Sequence, residues 1–186
     1  YWPLSVGVFQ SVGARVIEAP VLHRGTSIGT GPSAAAVEAA LDRALGPRTR
    51  AIYFITPSNP DGAVWSDEAL AALARIAERN DLWVFADEVY ADVTYDAPHT
   101  SFAYLPGMAS RTLALYSFSK SHALAGARVG YVVGPEAVIA AAKKIATYTV
   151  FNVPVVAQRT ALAALRCGES WLDATTKSYR AVRDLS

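Results

Sequence analysis

The sequence is poor in several features that mark particular classes of protein. Its 186 residues include one cysteine, Cys167, so an internal disulfide is excluded and a reducing compartment is indicated. We therefore expect a cytoplasmic protein. The formal net charge is +1, which gives no electrostatic reason to expect binding to nucleic acid or to an anionic membrane. No apolar run approaches the roughly 20 residues that cross a bilayer.

Histidine and methionine are scarce as well. Neither His23 nor His99 has a partner at the spacing of a metal site, so we expect no metal. The third histidine, His122, is expected to pack as an aromatic side chain would. The chain opens on Tyr1-Trp2-Pro3 rather than on methionine, which suggests an internal piece of a longer protein and leaves a signal peptide open.

Apolar residues are plentiful, at 52% of the chain, and they alternate between strand-like runs and helical stripes. Predicted strands cover residues 51–55, 82–86, 112–116 and 128–133, with a short candidate within 14–21. Predicted helices follow caps at Ser33 and Ser66 and cover 136–147, 155–165 and 171–186. Continuous apolar strands separated by helices favour a three-layer α/β/α fold with a mostly parallel central sheet.

Polar residues follow three of these strands at the point where each strand ends. The carboxyl ends of parallel strands lie at one edge of a sheet, so we expect the three groups to converge there. Each group taken alone is ordinary: a turn, an acidic turn or a packed tyrosine. The groups are Asn59-Pro60-Asp61-Gly62, Asp87-Glu88-Val89-Tyr90 and Ser117-Phe118-Ser119-Lys120.

The third group has the most distinctive chemistry. A partly desolvated lysine amine can form a Schiff base with a carbonyl, as Lys120 would at the rim of a sheet. Ser117, Ser119 and the guanidinium of Arg128 suit a phosphate. A carbonyl compound that bears a phosphate suggests pyridoxal 5′-phosphate (PLP). Taken alone, however, the segment favours a surface lysine followed by a glycine-rich turn.

The three groups together carry a resemblance to a family. An N-P-x-G turn, a D-x-x-Y segment and an S-x-S-K…R segment occur in this order in class I/II aminotransferases, which are PLP enzymes of fold type I. The chain resembles their large domain over nearly its whole length. The resemblance implies that residues 1–170 are that PLP-binding domain without its N-terminal part. It also implies that residues 171–186 begin the helix leading to a small C-terminal domain, so that the fold is truncated at both ends.

The resemblance implies catalytic and ring-binding roles for four residues. Lys120 would hold PLP as a Schiff base and afterwards move a proton on the substrate. Asp87 would pair with the pyridine nitrogen and keep it protonated. Asn59 and Tyr90 would bind the 3′-oxygen of the ring.

The resemblance also implies contacts to the rest of the cofactor. Ser117, Ser119 and Arg128 would bind its phosphate. Trp2 would stack on the ring, with Tyr1 as the alternative.

The function implied by the resemblance is the exchange of an amino group between an L-amino acid and a 2-oxo acid. A homodimer is also implied, as is poor activity of the isolated piece, since the upstream phosphate loop and the downstream carboxylate-binding arginine lie outside it. Two alternatives remain open. One is a PLP-dependent lyase or decarboxylase of the same fold, and the other is an aminotransferase-like sensor domain of a transcription regulator.

Overall fold

A computed structural model of the chain describes residues 3–22 and 29–185. The strands are β1 (Ala51–Ile55), β2 (Trp83–Asp87), β3 (Thr112–Ser117) and β4 (Gly130–Val133). The helices are α1 (Pro3–Ser11), α2 (Ala34–Ala44), α3 (Asp67–Arg79), α4 (Phe118–Ser121), α5 (Glu136–Thr149), α6 (Val155–Cys167) and α7 (Glu169–Arg183). Short 3₁₀ turns cover Phe102–Tyr104 and Ala125–Ala127.

The strands form one sheet in the order β1-β2-β3-β4. The pairs β1–β2 and β2–β3 are parallel, and β4 runs antiparallel to β3. Ile55 lies opposite Asp87, which in turn lies opposite Leu115. This confirms the mostly parallel sheet, and it brings the carboxyl ends of β1, β2 and β3 to one edge.

Helices α2 and α3 cover one face of the sheet. Both helices begin at a capping serine, since Ser33 Oγ accepts from the Ala36 N–H at 3.2 Å and Ser66 Oγ from the Ala69 N–H at 3.3 Å. The apolar stripes of the two helices pack on the sheet because their residues recur with helical spacing. The core between these layers includes Val37, Leu41, Leu70, Leu73, Ile52, Phe54, Val84 and Ala86.

Helix α1 lies against the other face, so the fold has three layers here. The ring of Phe9 packs edge-on against Tyr53 and Phe85, with centroid distances of 5.7 and 5.3 Å. Tyr53 and Phe85 are neighbours in the β1–β2 register and therefore point to the same side. The sequence analysis did not predict α1.

The C-terminal helices bury less apolar surface than α2 and α3. Every residue of β4 is exposed, and Phe151 after α5 is 82% exposed. A second, small core contains Phe118, Val129, Ala157 and Ala161. Within residues 3–22 and 29–185, no helix is both long and apolar enough to cross a membrane.

Two strand predictions need correction. Residues 14–21 form no strand, because Ala19 and Val21 pack on the main core without joining the backbone ladder. The last strand begins at Gly130 rather than at residue 128, because Arg128 has a φ of 52° and leaves the preceding 3₁₀ turn in a left-handed conformation. The other predicted elements are confirmed, with shifts of up to three residues at their ends.

Candidate active site

The candidate site lies at the edge where the three parallel strands end. Asp87 is the last residue of β2, is 9% exposed, and lies opposite Leu115 of β3. Ser117 follows Leu115 by two residues, so its side chain leaves the same face of the sheet as that of Asp87. This is the face that α1 covers. The sheet therefore brings a carboxylate and a hydroxyl to one side of its edge.

The carboxylate of Asp87 is held by the neighbouring strand. Tyr53 Oη donates a 2.6 Å hydrogen bond to Asp87 Oδ2, and the Val89 N–H makes a longer contact of 3.4 Å with Oδ1. Ser5 Oγ of α1 donates to Tyr53 Oη at 2.8 Å. Burial, followed by the bond to Asp87, raises the pKa of the Tyr53 phenol well above its usual range. Tyr53 therefore remains a proton donor to Asp87 at physiological pH.

Asn59, Tyr90 and Lys120 come together from the segments that follow β1, β2 and β3. Asn59 Nδ2 donates to Tyr90 Oη at 3.4 Å, and Lys120 Nζ lies 5.5 Å from the centroid of the Tyr90 ring. Lys120 is exposed, so the partial desolvation that the sequence suggested is not found in this chain. Its amine makes no ion pair with any residue of the described ranges.

The residues predicted to bind phosphate are only partly assembled. Ser117 Oγ accepts a hydrogen bond from the Ser119 N–H at 3.1 Å and so caps α4, the helix that carries Lys120. The exposed guanidinium of Arg128 donates instead to the carbonyl of Ala125 at 2.9 Å. The structure thus joins the two serines to each other and to the lysine helix, and leaves Arg128 bonded to its own turn.

The predicted stacking residue Trp2, like its alternative Tyr1, lies outside the described residues. Its role stays a prediction. The ring of His122 packs against the ring of Phe118 with a centroid distance of 5.4 Å, which agrees with the aromatic packing expected of His122. Across residues 3–22 and 29–185 there is no group of three side chains arranged to hold a metal ion.

The sequence analysis missed Tyr53, which it treated as one more residue of an apolar strand. A signal for it exists, because a tyrosine two residues before the end of β1 is on the same face as the end of the neighbouring strand. The sequence analysis assigned no role to Glu88 and gave an acidic turn only as the ordinary interpretation of Asp87-Glu88 taken alone. In the structure Glu88 is 1% exposed, so its carboxylate is buried rather than solvated.

Glu88 points to the opposite face from Asp87, where donors surround it. Tyr116 Oη donates to its Oε2 at 2.6 Å and the Phe102 N–H to its Oε1 at 2.8 Å. His99 Nε2 lies 3.3 Å from Oε2, close enough for an ion pair but poorly aligned for a hydrogen bond. Burial alone would raise the pKa of Glu88, but these contacts outweigh it and hold the pKa below its usual range.

A cavity of about 240 Å³ lies next to this network, and Glu88, Tyr116, Ser117, His122 and Tyr131 are among its lining residues. It shares Ser117 with the candidate site, but neither Asp87 nor Lys120 lines it. Asn59 and Tyr90 do not line it either; they are half-buried at the edge of the sheet, where Lys120 is exposed.

Comparisons with known proteins identify the family and the fold of the chain. The sequence model of the family described as aminotransferase class I and II matches residues 1–185. The arginine–pyruvate transaminase of Pseudomonas aeruginosa is 41% identical over 178 residues, which is 96% of this chain and 44% of that protein. A double mutant of Thermus thermophilus aspartate aminotransferase superposes on the whole chain and 47% of its own length, with a TM-score of 0.89 at 31% identity.

A second solved structure gives the same result. The N-succinyldiaminopimelate aminotransferase of Mycobacterium tuberculosis matches 95% of this chain and 45% of its own, with a TM-score of 0.85 and 35% identity. The chain thus spans about half the length of the relatives it matches. The fold is shared along that half.

Proposed function

The chain belongs to the class I and II aminotransferases, and from this we propose that the enzyme containing it moves an amino group between an L-amino acid and a 2-oxo acid. Enzymes of this family depend on PLP. The observation that carries the proposal is the meeting of Asn59, Tyr90 and Lys120 at the edge where β1, β2 and β3 end. A purely structural domain would have no need of an amide, a phenol and an amine at three successive strand ends.

The residues present have the chemistry that PLP requires. Asp87 accepts two hydrogen bonds, and a carboxylate offers about four acceptor positions, so it can accept another from a protonated ring nitrogen. Hydroxyls and a guanidinium suit a phosphate, and Ser117, Ser119 and Arg128 supply them. The amine of Lys120 is exposed and close to Tyr90, where a carbonyl can reach it. The donor set therefore fits the cofactor.

When bound, PLP withdraws electrons from the substrate carbon that bears the amino group. In our proposal Lys120 Nζ would hold the cofactor, and its free amine would move a proton at the substrate carbon that bears the amino group. Tyr90 lies beside this amine and orients it, while Asn59 holds the Tyr90 hydroxyl in place. The chain thus supplies both the covalent attachment and the proton carrier.

The other predicted site residues would bind and orient the cofactor. Asp87 would hold the ring nitrogen in its charged form, which favours electron withdrawal. Ser117 and Ser119 would bind the phosphate from the start of α4. Arg128 would join them by giving up its bond to Ala125, and its left-handed backbone is the kind of local strain that clusters at functional sites.

The proposal extends to the assembly and its location. We propose a homodimer, which the exposed apolar residues Val150, Phe151 and Val156 support, and a cytoplasmic location, which the single cysteine supports. Residues 1–170 would be the PLP-binding domain, and residues 171–186 would lead to a small domain. The substrates would be an amino acid and a 2-oxo acid.

The test uses the full-length protein loaded with PLP and reduced with borohydride. We expect the reduced cofactor on the peptide that contains Lys120, and we expect Lys120→Ala to lose both this label and roughly 10²–10⁴-fold in transamination rate. Lys143→Ala, which removes an amine from α5, is the matched control and should keep both. Label on another lysine would remove Lys120 from its role. Ammonia or carbon dioxide among the products, in place of a keto acid, would indicate a lyase or decarboxylase, and bound cofactor without turnover would indicate a sensor.

A further inference from the structure

We propose that Tyr53 is a positioning residue that holds the Asp87 carboxylate in the orientation in which it receives the ring nitrogen of PLP. The inference rests on the proposed function, because it assumes that Asp87 binds that nitrogen. The inference goes beyond the proposed function, because Tyr53 lies two residues before the end of β1 and belongs to none of the motifs at the strand ends. The evidence is a chain of hydrogen bonds from α1 through β1 to β2.

The backbone register places Tyr53 where it can reach Asp87. Tyr53 lies opposite Phe85 in the parallel β1–β2 pair, and Asp87 follows Phe85 by two residues on the same face. A long side chain spans such a diagonal distance. The phenol reaches Asp87 Oδ2 at 2.6 Å, a length typical of a hydrogen bond to a charged acceptor.

The position of Tyr53 is itself fixed from two sides. The ring of Phe9 packs edge-on against the ring of Tyr53, and Ser5 Oγ donates to the Tyr53 hydroxyl at 2.8 Å. Because that hydroxyl accepts from Ser5, its own hydrogen is directed at Asp87. Hydrogen bonds in such a chain polarise one another and strengthen. Tyr53 is therefore a preset donor rather than a mobile neighbour.

The consequence for Asp87 is a loss of rotational freedom before any ligand binds. An aspartate side chain has two rotatable torsions, and Tyr53 and the Val89 N–H engage one carboxylate oxygen each. A ligand that meets an already ordered carboxylate does not lose affinity to ordering it. Removing the Tyr53 hydroxyl should therefore weaken PLP binding while leaving every predicted cofactor contact chemically intact.

The chain contains a matched control on the opposite face of the sheet. Tyr116 donates to Glu88 Oε2 at 2.6 Å, the same distance as in the Tyr53–Asp87 pair. Glu88 is adjacent to Asp87 in sequence but is enclosed by Tyr116, His99 and Phe102. Tyr116→Phe therefore removes an equivalent phenol–carboxylate bond away from the cofactor partner.

The experiment titrates the full-length apoprotein with PLP. We expect Tyr53→Phe to raise the dissociation constant roughly tenfold, as for the loss of one hydrogen bond to a charged group. We also expect it to shift the absorption band of bound PLP, whereas Tyr116→Phe should leave the constant within about twofold and the band unmoved. Thermal melting establishes that each variant is folded. If Tyr53→Phe does not fold, Ser5→Ala is titrated instead, with an expected rise of about threefold, and no rise would overturn the inference.

A double variant separates the two proposals. Asp87→Ala should weaken PLP binding, and adding Tyr53→Phe to it should have no further effect, because Tyr53 acts through Asp87. If Asp87→Ala binds PLP as the wild type does, the assignment of Asp87 in the proposed function fails. If Asp87→Ala weakens binding but Tyr53→Phe behaves as Tyr116→Phe does, the positioning role alone fails. Additive losses in the double variant would likewise overturn it.

Discussion

Glu88 offers the sharpest test of how the structure supports the site, because it connects the end of β2 to the core. Its carboxylate is buried and accepts from Tyr116 Oη and the Phe102 N–H, with His99 beside it. Two substitutions separate the roles of its shape and its charge. Glu88→Gln keeps the shape and removes the charge, whereas Glu88→Ala removes both.

The expected loss of unfolding free energy in each variant follows from the hydrogen-bond partners of Glu88. In Glu88→Gln the amide oxygen can still accept from the Phe102 N–H, and Tyr116 can donate to Ser101 Oγ, which lies 3.0 Å away. Only the charge assistance is lost, which is worth about 1–2 kcal/mol of unfolding free energy. Glu88→Ala leaves the buried Phe102 N–H without an acceptor and opens a cavity, so we expect a cost of about 3–5 kcal/mol.

The pH dependence gives a second, independent reading of the same residue. The pKa of Glu88 is below its usual range in the folded state, so its stabilising contribution is complete above the unfolded-state pKa of about 4.3. It is lost as the pH falls through the lower folded-state value. The difference in stability between wild type and Glu88→Gln should therefore narrow below about pH 4.3.

Urea denaturation at a series of pH values measures both quantities. An unchanged slope with denaturant concentration would show that each variant unfolds from the same folded state. Equal costs for Glu88→Gln and Glu88→Ala, together with a difference from wild type that stays constant between about pH 7 and pH 3, would refute the reasoning.

Two further predictions concern the strand and turn next to Lys120. Gly130→Ala would place its Cβ 2.5 Å from the carbonyl oxygen of Tyr116, so it should lower the unfolding free energy by about 1–3 kcal/mol in urea denaturation, whereas Gly126→Ala, with open space around it, should not. Equal effects of the two glycine variants would contradict the close approach of β3 and β4. Arg128→Gly relieves the strain of a left-handed backbone, so the unfolding free energy should be unchanged or raised by up to about 1 kcal/mol. The same substitution removes the guanidinium, so PLP titration should show binding weakened at least tenfold. A loss of stability, or unchanged binding, would count against the role of Arg128.

Much of the fold is readable from local patterns. The strands β1, β2 and β3 are short apolar runs between turn-forming residues, and each is found within one residue of its predicted bounds. Helix α3 begins where Ser66 caps it, as predicted. These features depend on neighbours in sequence, so a single sequence contains them. The convergence of Asn59, Tyr90 and Lys120 follows from the same patterns plus the parallel direction of the strands.

What the sequence did not reveal depends on contacts between distant residues. The bond from Tyr53 to Asp87 joins residues 34 positions apart and depends on the register of two strands, which no local pattern specifies. Glu88 looks like a surface residue because its partners Tyr116 and Phe102 come from later in the chain. The strand predicted within 14–21 is wrong because a local apolar pattern was present without a long-range contact. Its residues Ala19 and Val21 pack on the core, but their backbone does not pair with the sheet.

The two tyrosine bonds have a consequence for motion at the end of β2. Tyr53 ties Asp87 to β1 on one face, and Tyr116 ties Glu88 to β3 on the other. The Glu88 N–H also donates to the Leu115 carbonyl at 3.0 Å. Local opening there would break bonds to both neighbouring strands at once, so the amide hydrogen of Glu88 should exchange with solvent among the slowest of the chain, through large-scale unfolding only. The side chain of Lys120 after β3 is exposed instead, so this edge of the sheet combines a slowly opening carboxylate with an amine that solvent reaches directly.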